Sequence, residues 1–224
     1  MSLSAVLSLV APPLCFACGA HAGEDRALCA ACQRALRWLA RGDEGDGGIS
    51  VAGAADGGLP VWAPLAYEGP AAALVRALKF RGARGVAEVM AGPIAAGAPP
   101  WVLGEGSGAP ARLVPVPLHS ARRRRRGFNQ AALLASALAT RTGLDVDDCL
   151  ERRGTAGTQM GRDRSERAAA VAQAVRVRGR PPSLAVLVDD VVTTGATLGA
   201  CAAALRGAGA LEVRAVAYAR TPGR

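Results

Sequence analysis

The stretch LAVLVDDVVTTGATL, residues 184–198, constrains this chain more than any other. Five consecutive apolar residues run directly into Asp189 and Asp190, and Thr193-Thr194-Gly195-Ala196-Thr197 follows almost at once. A near-continuous apolar run of this kind reads as a strand buried on both faces of a parallel sheet. Two adjacent carboxylates repel each other and are costly to bury together, so a fold that keeps them aims them at something. In open parallel sheets, ligands bind beyond the C-terminal ends of the strands, which is where this pair falls. The Thr193–Thr197 loop opens the next helix. It offers backbone N–H groups, the positive end of a helix dipole, three hydroxyls and a glycine that permits close approach. Such a loop suits one phosphate, and the neighbouring acids suit hydroxyls or a hydrated divalent cation. Together they describe a site for a ribose 5-phosphate. A Walker B strand would also end in acids, but the chain has no G-x-x-x-x-G-K-[ST] loop. An exposed acidic turn followed by an ordinary helix cap is the plain structural alternative.

The flanking sequence alternates in the same sense. Residues 61–69, 111–118, 184–190 and 211–219 read as strands; 70–80, 83–97, 128–143 and 195–209 read as helices, the second interrupted by Pro93. Phe128, Ala131, Leu134, Ala135 and Leu138 share one helical face, and Gly143 supplies the stop. This pattern predicts an α/β fold, an open, mostly parallel sheet with flanking helices. Cys201 and Cys149 read as small core residues.

Before that domain stand two Cys-x-x-Cys knuckles, Cys15/Cys18 and Cys29/Cys32, separated by ten residues. Each knuckle can supply two thiolates to a tetrahedral Zn2+ site, and a shell of four leaves no position for water, so the metal is expected to be structural. His21 lies between the knuckles and reads as a bystander. Two disulfides or four free thiols are the alternatives. The expected division is a helix and zinc ribbon over 1–40, a Gly- and Asp-rich linker over 41–60, and the α/β domain over 61–224. Leu3, Val6, Leu7 and Val10 have the spacing of a short amphipathic helix. The N-terminal segment has no cationic n-region and no stretch approaches the ~18 apolar residues of a membrane span, so a cytoplasmic protein is expected.

Net charge is +9, which suits a polyanion, either nucleic acid or a polyphosphate. Much of it is concentrated in PVPLHSARRRRRGFNQ, residues 115–130. Five consecutive arginines cannot all face one small ligand. Arg126, beside the helix entry, and Asn129 are the candidates for anionic oxygens, with the other arginines as an electropositive rim. A solvated basic surface is the rival reading. Lys79 is the sole lysine among 27 cationic side chains and is a further candidate, since arginine has replaced lysine everywhere else; a chance survivor of that replacement is the plain alternative.

VLVDDVVTTGAT resembles the phosphoribosyl pyrophosphate (PRPP) signature of type I phosphoribosyltransferases. The four-cysteine ribbon, ALKFRG (77–82), PVPLHSARRRRRGFNQ (115–130) and TQMGRDRSER (158–167) are similar, in that order, to the ComF competence-protein family. The resemblance spans nearly the whole chain and implies a zinc ribbon joined to a type I phosphoribosyltransferase-like fold. It implies that Asp189 and Asp190 are the catalytic acid pair, holding the ribose hydroxyls, and that Thr193, Thr194, Gly195, Ala196 and Thr197 hold the 5′-phosphate. Gln159, Arg164 and Arg167 would belong to a mobile loop closing over PRPP; an exposed helix face is their alternative. After Arg167 the family has Asn and then Gly-Ala-Phe, where this chain has Ala170, Gln173, Ala174 and Val175. Two functions follow: PRPP- and Mg2+-dependent transfer of phosphoribose to an unidentified acceptor, or a non-catalytic, PRPP-regulated protein handling single-stranded DNA in natural competence, with competence-machinery proteins as further partners.

Overall fold

The computed structural model describes residues 14–23, 27–39, 48–51, 58–104, 108–152 and 175–222. The proposed N-terminal helix and Gln159, Arg164 and Arg167 lie outside them. The strands are β1 (Gly48–Val51), β2 (Leu59–Trp62), β3 (Leu65–Ala66), β4 (Ala111–Pro115), β5 (Asp145–Val146), β6 (Leu150–Arg152), β7 (Val175–Val177), β8 (Leu184–Val192) and β9 (Glu212–Arg220). The helices are α1 (Ala30–Arg34), α2 (Gly69–Phe80), α3 (Val86–Gly97), α4 (Pro100–Leu103), α5 (Ser120–Arg126), α6 (Gln130–Thr142) and α7 (Ala196–Gly207).

Seven strands form one sheet in the order β1-β2-β9-β8-β4-β5, with β3 also paired to β9. Every pairing is parallel except β1 with β2. The acid-bearing strand β8 is central, in register with β4 from Ala111↔Leu184 to Pro115↔Val188 and with β9 from Leu184↔Glu212 to Val192↔Arg220. Its continuous apolar run is explained by burial on both faces. Val186 and Val188 join the cluster packed under α2, α3 and α6, while Ala185 and Leu187 join the cluster under α7 and the small β6–β7 sheet. Among the described residues, no helix is long and apolar enough to cross a membrane.

Two expectations are corrected. The stretch 41–60, read as a linker, contains β1, which pairs with β2 from Gly48↔Trp62 to Val51↔Leu59; the alternation of Ile49 and Val51 is strand-like, but flanking glycines obscured it. Pro93 does not interrupt its helix: α3 runs through it, and buried Met90, Ala91 and Ile94 on either side offset the missing backbone bond. The Arg122–Arg126 run is helical. It forms α5, closed by Gly127 in the left-handed conformation at φ 76°.

The ribbon docks on the domain. Its Cys15, Ala22, Ala27 and Leu28 join the cluster that contains Leu65, Leu74 and Leu78. Backbone bonds from Leu39 N–H to the Pro64 carbonyl and from Ala66 N–H to the Arg37 carbonyl, both 2.9 Å, fix the junction.

Candidate functional site

Successive strand residues point to opposite faces of a sheet, so Asp189 and Asp190 diverge. Asp190 shares the face of Val186 and Val188 and meets α2, where Lys79 Nζ lies 3.0 Å from its Oδ2. That pair is largely shielded, with Asp190 2 % exposed. The sole lysine therefore faces an acid of the pair rather than open solvent. Asp189 shares the face of Ala185 and Leu187, toward α7. Its Oδ1 accepts the Asp190 N–H at 2.8 Å. Burial and the adjacent Asp190 charge hold its carboxyl well above the usual carboxylate range, although that N–H bond and Lys79 act in the other direction. One acid is thus paired with a cation, and the other is held where protonation competes with ionisation.

Both acids line a cleft of about 290 Å³ together with Lys79, Thr193 and Thr197. A smaller hollow of about 40 Å³ lies against Asp189 and the whole Thr193–Thr197 loop. Gly195 enters α7 at φ 72°, a conformation that favours glycine, and the Ala196 N–H reaches Thr194 Oγ1 at 3.5 Å. The structure thus brings the acid pair and the threonine loop to one place at the end of β8.

The other candidates for anionic oxygens separate. Asn129 caps α6: its Oδ1 accepts the Ala131 N–H at 3.1 Å and its Nδ2 donates to the Val116 carbonyl at 3.0 Å. Both polar atoms are engaged within the fold. Arg126 donates from Nη1 to Gln130 Oε1 at 2.9 Å and stacks over Phe80, 5.4 Å from the ring centre. Burial lowers its pKa, partly opposed by the nearby Asp190 charge. From α5 it is Arg122 that lines the cleft, and Arg152 of β6 lines it too. Sequence reasoning passed over Arg152. It stands on a three-residue strand, with no motif and no cationic neighbour to mark it apart from Arg153.

At the other end, the sulfur atoms of Cys15, Cys18, Cys29 and Cys32 all lie within 4.8 Å of one another, with Cys18 and Cys29 at 3.7 Å. A tetrahedron with Zn–S near 2.3 Å has edges of about 3.8 Å, so the set fits that metal. All four cysteines are free thiols in this arrangement. The first knuckle is a turn closed by the Gly19 N–H on the Cys15 carbonyl at 2.9 Å; the second opens α1. Burial pushes the Cys15 thiol up, but N–H groups of Cys29, Cys18 and Ala17 outweigh it and bring it to about 6. Cys32 is pushed up to about 12 by burial and by the other three cysteines. One thiolate forms readily and makes the next harder, a conflict that a divalent cation resolves. His21 turns Nδ1 to the Gly23 N–H at 3.3 Å and stays outside the cluster.

Residues 6–42 match the family model described as a double zinc ribbon domain. Competence protein F of Haemophilus influenzae is 34% identical over 116 residues, covering 50% of this chain and 51% of that protein, so the match spans about half its length. The DNA utilization protein YhgH of Salmonella typhi is 34% identical over 168 residues, 72% of this chain and 74% of that protein. The chain belongs to the ComF family. More distant in structure are two hypoxanthine phosphoribosyltransferases. The one from Staphylococcus aureus has TM-score 0.37 and 15% identity over 62% of this chain and 65% of that one. The one from Trypanosoma cruzi has TM-score 0.33 and 16% identity over 62% and 77%.

In this ComF-family chain the ribbon and the cleft are joined by α2. Its buried residues contact the cluster that receives the ribbon, and its last turn delivers Lys79 to Asp190. Cys201 and Cys149 are buried thiols, pushed up to about 12 and about 11 chiefly by burial, and act as core.

Proposed function

We propose that this protein binds PRPP with Mg2+ in the cleft at the end of β8. The observation that carries the reading is the meeting of Asp189, Asp190 and the Thr193–Thr197 loop in one place. The loop would hold the 5′-phosphate through backbone N–H groups and hydroxyls. Asp189 and Asp190 would receive the ribose hydroxyls and are the carboxylates suited to a hydrated Mg2+. If phosphoribose is transferred, the bond from the anomeric carbon to pyrophosphate breaks, its electron pair leaves with the pyrophosphate, and an acceptor nucleophile bonds to the same carbon. Cationic side chains in the cleft offset the charge on that leaving group. The acceptor is unidentified. Calorimetric titration of PRPP with Mg2+ into the zinc-loaded protein is expected to give saturable binding, and release of pyrophosphate on adding an acceptor would mark an enzyme. Absence of saturable heat would remove the PRPP reading.

A second reading, handling of single-stranded DNA, is favoured by the names of the relatives and by the basic surface beside the cleft. Arg123, Arg124 and Arg125 are exposed on α5, and Phe80, 66% exposed, lies under Arg126 at its edge. With so few aromatic platforms, the binding would be mostly electrostatic. Replacing Arg123, Arg124 and Arg125 together with Gln is expected to weaken binding of a labelled oligodeoxynucleotide. The slope of log affinity against log salt should become shallower by about 0.7 for each phosphate that is no longer neutralised. A slope unchanged in anisotropy titrations over a range of salt would exclude α5 as the binding surface.

A further inference from the structure

The ribbon touches α2 at both of its ends. At the start, the Ala66 N–H bonds the Arg37 carbonyl at 2.9 Å and Trp38 bridges to Leu65. Arg37 Nη1 also lies 3.1 Å from Oε1 of Glu68, which occupies the N-cap position of α2. At the far end, Arg81 borders a hollow of about 370 Å³ whose other walls are the first knuckle, Leu14 to Gly19. Between these ends, Leu74 and Leu78 stand one helical turn apart in the cluster that takes Cys15, Ala22, Ala27 and Leu28 of the ribbon. Among the described helices and strands of the domain, the principal neighbour of α2 is α3. The ribbon therefore supplies part of the cover that keeps α2 in place.

Two residues that line the cleft ride on this segment. Lys79 belongs to the last turn of α2 and meets Asp190 at 3.0 Å; Tyr67 stands just before the helix. Asp190 is fixed separately, on the central strand β8, which is paired on both sides. One partner of the buried ion pair thus belongs to the sheet, and the other to a helix that the ribbon holds. The ribbon itself is too small to keep its shape without a metal on its four thiols.

We infer that zinc in the ribbon controls the cleft through α2. With the metal bound, the docked ribbon holds the helix so that Lys79 faces Asp190. Without it, the ribbon no longer docks, the end of α2 loosens and Asp190 is left without its cation. The two sites are then linked by a contiguous packed element rather than by contact between metal and ligand. The fold carries this linkage whatever the cleft binds, and its consequence for PRPP affinity rests on the PRPP reading.

The test uses Lys79 as its own probe. It is the only lysine in the chain, so its acylation by an N-hydroxysuccinimide ester, read on the peptide that contains it, reports on the ion pair. Cys149 and Cys201, buried in the cluster under α7, report through maleimide labelling whether the sheet is intact. Zinc-loaded protein is compared with protein stripped by a chelator and dialysed free of it. Lys79 is expected to be acylated roughly tenfold faster or more in the metal-free form, with Cys201 still protected and the slow rate restored by Zn2+. Rates within about twofold of each other in the two forms would overturn the linkage. If Cys201 is exposed as well, Leu28→Ala in the zinc-loaded chain decides the matter, because it trims the docking contact and keeps all four ligands. Faster acylation there, with full zinc content and a protected Cys201, upholds the linkage, and an unchanged rate ends it. PRPP with Mg2+ is expected to bind the metal-free form more weakly. Equal PRPP affinity in both forms overturns control of the cleft and leaves the PRPP reading standing. Lys79 reactivity that follows zinc in a protein binding no PRPP keeps the linkage and removes that reading.

Discussion

Chelating the metal is expected to melt residues 14–39 and to lower the Tm of the remaining domain by several degrees, with the parallel sheet still folded. The ribbon has no core of its own. Its helix α1 is five residues long and buries none of them. Apart from Cys15, the buried apolar residues of the described ribbon are Ala22, Ala27 and Leu28, and these face the domain. Structural zinc in small modules is worth about 10–16 kcal/mol at neutral pH, far more than such a scaffold can supply otherwise. The domain suffers because docking is lost with the ribbon. Burial of a leucine such as Leu28 is worth about 1.5–3 kcal/mol, and each kcal/mol moves Tm by ~2–4 °C in a chain of this size. Limited proteolysis should locate new cleavage between 14 and 39 after chelation, and calorimetry should report the lowered Tm; both should revert on adding Zn2+. A metal-free protein with an unaltered cleavage pattern and Tm would show that the four thiols are held by packing.

The parts of this molecule legible in its sequence are those whose signal is local. The apolar run ending in two acids announces a central strand, because burial on both faces demands continuous apolarity and a ligand-facing end tolerates charge. The observed strand extends beyond the acids to Val192, since pairing with β9 continues through Val192↔Arg220. The knuckles were legible for the same reason: tetrahedral chemistry fixes their spacing. What escaped is tertiary. Lys79 and Asp190 are 111 positions apart, and nothing near either residue specifies the other. Arg152 enters the cleft only because β6 packs against the α7 side of the sheet. Asn129 is a different case, because Asn directly before an apolar-periodic helix is a capping signal in its own right. Its position beside an arginine run suggests anion binding, whereas its side chain closes α6.

Asp189→Asn is expected to weaken PRPP binding strongly while making the ligand-free protein more stable at neutral pH and above. The binding loss follows from the charge. A hydrogen bond to a charged group contributes about 1.5–3 kcal/mol, so removing the carboxylate that reads a ribose hydroxyl weakens affinity by roughly 10- to 150-fold at 1.4 kcal/mol per tenfold. The stability gain follows from linkage. Burial and the Asp190 charge raise the Asp189 pKa in the folded state above its unfolded value. The folded state then holds its proton to higher pH than the unfolded state. Its contribution is fully present below the unfolded pKa and is lost as pH rises through the folded one. Asparagine abolishes that loss, so the variant's Tm should exceed the wild type's at the alkaline side of this window, by ~2–4 °C for each kcal/mol of repulsion relieved, and the two should converge in acid. Asp190→Asn should differ in kind. It leaves the Lys79 ammonium, largely shielded, without its carboxylate at 3.0 Å, and is expected to lower Tm at neutral pH. Thermal melts of both variants across pH, paired with PRPP titrations, separate the two acids. A wild-type and Asp189→Asn pair with parallel pH profiles and equal PRPP affinity would mean that Asp189 neither carries the buried charge nor reads the ligand. The opposed signs expected at neighbouring residues reflect the alternation of the strand, which turns Asp190 to Lys79 on one face and Asp189 toward α7 on the other.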